Sequence, residues 1–202
     1  MRGISLRNAL LLVAAVIAVG WWFDGSRAVP RAPGVLAPTE PRQDSVPAGT
    51  PVREKDGFTI TPLASFALDA RVLSREDYSF DAGAAISPTD LALGWGPMSD
   101  SSVLAHLRIS QGNRWWYWRA DELPLDSGEI QASAANMHMI PANAAVASAL
   151  GRVRAGDLVA LRGQLVEVVS KDSGWRWRSS LSRTDTGNGA CELVWVEDLR
   201  IR

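Results

Sequence analysis

Apolar and polar positions along this chain alternate with a period of two from Gly57 onward and show no such order before it. In "FTITPLASFALDARVLSREDYSF" the alternation is rich in β-branched and aromatic residues, which predicts strand interrupted at Pro62. "LRISQGNRWWYWRA" predicts a hairpin turning at Gln111-Gly112-Asn113. "GDLVALRGQLVEVVS" reads as one long strand. Val159, Leu161 and Leu165 share a parity that Val166 and Val168 break, so a bulge or sharp bend is expected around 163–166, at Gly163. "WRWRSSLS" and "ACELVWVEDLRI" give two further strands, with Asn188-Gly189 as the turn signal between them. Cys191 takes the parity of Leu193 and Trp195, the expected core face.

Helical signals are few. Ser87-Pro88 predicts a cap and a short helix or turn through "TDLALG". "PANAAVASALGRV", alanine-rich with Pro141 near its start and Gly151 as a stop, predicts a better one. "DSSVLAHL" fits either a helical turn or a strand. Short strands with a helix inserted before "GDLVALRGQLVEV" predict a mainly β fold. The expected form is a small OB-like or SH3-like barrel with one or two short helices.

Ahead of that domain, at 57–202, the pattern changes twice. Residues 1–27 begin with Arg2 and Arg7, and an uncharged run follows from Asn8 to Phe23. Its strictly apolar part, 9–23, would span roughly 22 Å as a helix against a hydrocarbon core of ~30 Å. It reads as an N-terminal transmembrane anchor, with Trp21-Trp22 at the interface, or as a signal peptide cut near Ser26-Arg27-Ala28. In both readings the N-terminus is cytoplasmic and the remainder is exported, which predicts a bacterial envelope protein facing the periplasm, and the anchor reading places it in the inner membrane as a single-pass protein. Residues 28–56 carry six of the eleven prolines and no periodic apolar pattern, and so read as an extended linker.

Composition narrows the function. A net charge of −1 over 202 residues offers no field for a polyanion, so no nucleic-acid partner is expected. Nine tryptophans outnumber the four phenylalanines and two tyrosines, and they cluster in "RWWYWR" and "WRWR". On strands, Trp115 and Tyr117 share one face, and Trp116 and Trp118 share the other. One pair must face outward, which makes Trp115 and Tyr117, with Arg114 and Arg119 beside them, the candidate platform for an envelope glycan or a protein partner. Trp175, Trp177 and Trp195 are expected in the core.

Candidate chemistry is thin. The two histidines, His106 and His138, stand in no metal-ligand spacing, and no cofactor motif occurs; "DTGNG" lacks a P-loop's lysine and helix. "NMHMIPAN" resembles a fragment of the signal-peptidase pattern, but His138 occupies the nucleophile's position, so that chemistry is absent; His138 is expected to cap or bridge near the helix start. Cys191, the single cysteine, would need His138 or His106 as base and Asp185 or Asp157 to orient it. "GNGAC" resembles the Gly-Cys end of L,D-transpeptidases, whose arginine after the cysteine and His-Gly pair are both missing here.

The runs "SPTDLALGWGPMSD", "NMHMIPAN" and "WRWRSSLSRTDTGNGACELVWVE" resemble a family of uncharacterised, membrane-anchored bacterial envelope proteins. The resemblance implies placement and no activity. The sequence thus predicts an anchored periplasmic binding or scaffolding protein, with a Cys191-dependent hydrolase or transpeptidase-like enzyme as the alternative.

Overall fold

The computed structural model describes residues 28–182, 185 and 190–202. The apolar run at 9–23, the cleavage site at Ser26-Arg27 and the Asn188-Gly189 turn lie outside them. Among the described residues no helix is long and apolar enough to cross a membrane. The strands are β1 (Arg42–Asp44), β2 (Arg53–Lys55), β3 (Phe58–Asp77), β4 (Thr89–Gly94), β5 (Arg108–Gly112), β6 (Trp115–Arg119), β7 (Ala134–Pro141), β8 (Leu158–Ser170), β9 (Arg176–Arg178) and β10 (Glu192–Ile201). Short helices α1 (Ser101–Leu104), α2 (Ser127–Ala132) and α3 (Ala144–Leu150) separate some of them.

Five strands close on themselves. β3 pairs antiparallel with β4 and β4 with β7; β7 runs parallel to β10, β10 antiparallel to β8, and β8 returns to β3. Inside the ring sit Phe66, Leu68, Leu91, Leu93, Met137 and Val194, with Val146, Ala149 and Leu150 of α3 packed against them. A second apolar layer covers the opposite face of β7 and β10: Ile140, Leu193 and Trp195 meet Phe58, Ile60, Val166 and Val168. The break of parity on β8 is therefore a change of layer, since Leu161 and Leu165 belong to the first cluster and Val166 and Val168 to the second.

The expected irregularity near Gly163 is present, but its extra residues lie on the neighbours. β3 slips between Pro62 and Ala64, opposite Val166 and Leu165, and β10 slips between Val196 and Asp198, opposite Gly163 and Arg162. Pro62 does not interrupt β3, because a bulge accommodates a residue with no N–H to give the ladder. Gly163 is needed for approach: a Cβ there would stand 1.9 Å from the Trp195 carbonyl oxygen. The helix or turn expected through "TDLALG" is instead β4, every residue of it buried. Pairing on both edges overrides the local cap signal.

The linker expectation for 28–56 gives way to a docked strap. The N–H of Val29 donates to the Ala155 carbonyl (2.7 Å), and Arg31 Nε donates to the Gly156 carbonyl (3.0 Å). The N–H groups of Leu36 and Ala37 both donate to Ser99 Oγ at 3.0 Å, and Ala37 is buried. β1 and β2 then pair with β3 at 65–67 and 58–60, along the edge that β4 leaves open. The six prolines fall outside both short strands, so none costs a ladder bond. Hydrogen bonding by backbone groups and by Arg31 and Arg53, rather than apolar burial, holds this segment.

The tryptophan hairpin forms a separate two-stranded sheet of β5 and β6. Trp116 and Trp118 turn inward onto Met98, Leu107 and Ile130, which leaves Trp115 and Tyr117 on the opposite parity.

Candidate functional site

β4 and β7 place polar side chains on the face opposite the barrel interior. The cross-strand pairs Asp90↔His138 and Ala92↔Asn136 alternate with Leu91↔Met137, so the leucine and methionine point in and the polar residues out. The second layer then buries those polar residues completely. Asp90 has no exposed surface; Arg114 Nη1 lies 2.7 Å and His138 Nδ1 2.9 Å from its two carboxylate oxygens. The histidine contact is close without being an aligned hydrogen bond. A buried carboxylate is tolerated only when compensated in this way.

Arg114 joins the elements. Its guanidinium also grips Asp81 through Nε (2.9 Å) and Nη2 (2.8 Å), and Nη1 donates to the Ser87 carbonyl (3.0 Å). It stacks 3.8 Å above the Tyr78 ring. Burial pushes its pKa down, but the hydrogen bonds and charges of Asp81 and Asp90 outweigh that and hold it above the ordinary arginine value. Asp81 in turn is held below the usual carboxylate range, chiefly by its hydrogen bonds from Arg114. The hairpin turns on Asn113 and Arg114, one residue later than its sequence suggests, with φ of 53° and 68°. A bulky arginine in the left-handed region is strained. Three bonds hold it there: its N–H donates to Tyr78 Oη (2.9 Å), and its carbonyl accepts from Asn136 Nδ2 (3.0 Å) and, more weakly, from Cys191 Sγ (3.8 Å).

Above this network opens a cleft of about 300 Å³. Trp115, Trp175 and Trp177 form its aromatic walls, with Asp81, Arg114 and Arg178 contributing charge. Trp177 lies 4.4 Å from the His138 ring and 5.6 Å from Trp175, centroid to centroid. Gly83 allows the close fit, because a Cβ there would meet the Trp177 ring at 2.6 Å.

Cys191 and His138 both line this cleft. The carboxylate beside His138 is Asp90, however, and neither Asp185 nor Asp157 takes that place. Asp185 accepts a bond from Ser180 Oγ (2.6 Å), and Asp157 accepts from the Arg154 N–H (2.8 Å) just before β8. His106 is exposed on the turn after α1, apart from the cleft. Burial, with the Glu192 carboxylate adding to it, pushes the Cys191 thiol up to about 12, which keeps it protonated at neutral pH. His138 caps no helix: it sits within β7, and Asn143 caps α3 by accepting from the Val146 N–H (3.0 Å). Of the expected platform, Arg114 is drawn into the network and Trp115 into the cleft wall, whereas Tyr117 and Arg119 stay exposed outside it. Trp195 is buried, while Trp175 and Trp177 are only partly so.

Sequence reading missed Asp90, Asn136, Asp81 and Tyr78. The signal for two of them was present in "NMHMIP", where Asn136 and His138 alternate with Met137 and Met139, and in "DLALG", where Asp90 takes the parity opposite Leu91 and Leu93. Among the described residues no group of three or more histidine, cysteine or acidic side chains is arranged to hold a metal ion. Comparison of the chain with protein-family models, curated proteins and solved structures gave no match.

Proposed function

We propose that this chain is an anchored binding protein of the bacterial envelope, held in the inner membrane by residues 9–23 with its folded part in the periplasm, and that it binds an envelope glycan without catalysis. The basic start followed by an apolar run supports the placement. The resemblance to membrane-anchored envelope proteins supports it too. We infer further that the barrel is OB-like rather than SH3-like. In its favour are a ring order of first, second, third, fifth and fourth strands, and a helix between the third and fourth. Barrels of that type take ligands on the second and third strands, between the loops joining strands one to two and four to five. The corresponding elements are β4, β7, the segment 78–88 and, after β8, Trp175, Trp177, Arg178 and Cys191, which hold the residues around the cleft.

The observation that carries the reading is a cleft with three tryptophan walls above a buried ionic floor. Such walls suit the apolar faces of sugar rings, with charged groups at the rim for hydroxyls. Titrating the full-length protein with soluble peptidoglycan fragments should give a saturable change in tryptophan fluorescence. No saturable change with any fragment would reject the reading.

One observation favours the enzyme alternative: Cys191 and His138 line the same cleft, and the Asp90 carboxylate lies buried behind His138. That chemistry requires a thiolate, and the protonated thiol opposes it. Native Cys191 is expected to resist maleimide until denaturant is added. Rapid labelling of the folded protein at neutral pH would restore the enzyme.

A further inference from the structure

Behind Trp115 lies a second hollow of about 270 Å³. Trp95, Trp116 and Trp118 line it from the barrel and the hairpin, Gln131 from α2, Asp185 from ahead of β10 and Glu192 from its first position. Trp115 and Cys191 line both hollows, so the two lie on either side of one ridge. The ridge is fixed in place, because the Arg114 carbonyl beside it accepts from Asn136 and Cys191. Each hollow sits at or below the lower end of the volumes that hold a drug-sized ligand, about 300–1,000 Å³. Each also carries its own tryptophans.

From these observations, and resting on the glycan reading above, we propose that the site is a groove with two subsites that takes a linear oligosaccharide across Trp115, one ring or more on each side. A single sugar fills one hollow and leaves the other to water. A chain buries apolar ring faces in both while losing its translational freedom only once. Single-stranded nucleic acid also stacks on tryptophans, but the exposed Asp185 in the second hollow would face its phosphates, which disfavours that occupant.

The test is a length series of N-acetylglucosamine oligomers, monomer to pentamer, titrated into the full-length protein by calorimetry. The expected result is a Kd that falls about tenfold or more between monomer and tetramer. Trp115→Ala should bring the tetramer's affinity down to the monomer's. Gln131 is exposed on α2, so Gln131→Trp should fold normally, block the second hollow and abolish the length dependence while preserving monomer binding. Equal affinity for monomer and tetramer would overturn the two-subsite groove yet leave a one-ring glycan site standing. Absence of binding by every saccharide would sink the glycan reading itself, and an oligothymidylate that outcompetes the tetramer would replace it with nucleic acid.

Discussion

Arg114 illustrates how one strained residue can be stable. Its left-handed backbone costs about 1–3 kcal/mol in isolation. Both its backbone polar groups and its guanidinium are nevertheless bonded, to partners on three segments of the chain: Tyr78 and Asp81 after β3, Asp90 on β4 and Asn136 on β7. Arg114→Met should remove the main counter-charge of Asp90 while keeping the stem's bulk. The expected loss is about 3–5 kcal/mol by urea unfolding, the range for breaking a buried pair on one side. A loss no larger than that of Arg108→Met, whose partner Asp121 is exposed, would show that Asp90 is compensated by other groups. No local pattern marks Arg114 as structural. Its partners lie 24 and 33 residues away, and "RWWYWR" looks like a surface run until the hairpin is folded back over β4.

Among the elements, the strap and β8 show what alternation can and cannot reveal. β8 was legible, including a disturbance near Gly163, because burial on one face writes itself into every second residue. The strap was not, because its affinity for the barrel resides in backbone groups at the β3 edge and at Ser99, which leave no periodic trace. β4 was misread for a related reason: a proline after a serine is a local helix-start signal, and the two neighbouring strands that overrule it are distant in sequence. Gly156 tests the strap directly. Its φ is +87°, and a Cβ there would stand 2.0 Å from the Val29 carbonyl oxygen. Gly156→Ala should therefore lift the strap's first residues from the barrel and speed proteolysis within 28–41. Gly151→Ala, a glycine with ordinary φ and van der Waals space around it, should leave the cleavage rate unchanged. Equal rates for the two variants would mean that the strap is held elsewhere.

For the molecule as a whole, a barrel was expected, but the order of strands around the ring was the least legible feature. It depends on a parallel pairing of β7 with β10, two strands whose sequences say only that each is buried. Acid stability integrates over this architecture. Asp81 is held low by Arg114, and Asp100 is held low by the N–H groups of Gly34 and Ser102. Burial pushes Asp77 up, but hydrogen bonds from Arg75 and Thr89 outweigh it and leave that carboxyl low as well. In each case the unfolded chain takes up its proton at higher pH than the folded one. Their contribution is thus present above the unfolded value of about 4 and is lost as pH falls toward the folded values. The melting temperature should decline through that window, and Asp81→Asn should flatten the decline; parallel curves for the two proteins would remove Asp81 from the account.

The docked strap also sets how far the cleft can travel. A free leash of this length would let its load sweep a radius of about 30 Å. Tied down at Val29 and Arg31, beside the start of β8, the barrel has no such play, while the cleft is walled by the segment that follows the end of that strand. A pull that reaches Val29 is therefore taken up by the barrel itself at the start of β8, and turns the cleft with no slack between them.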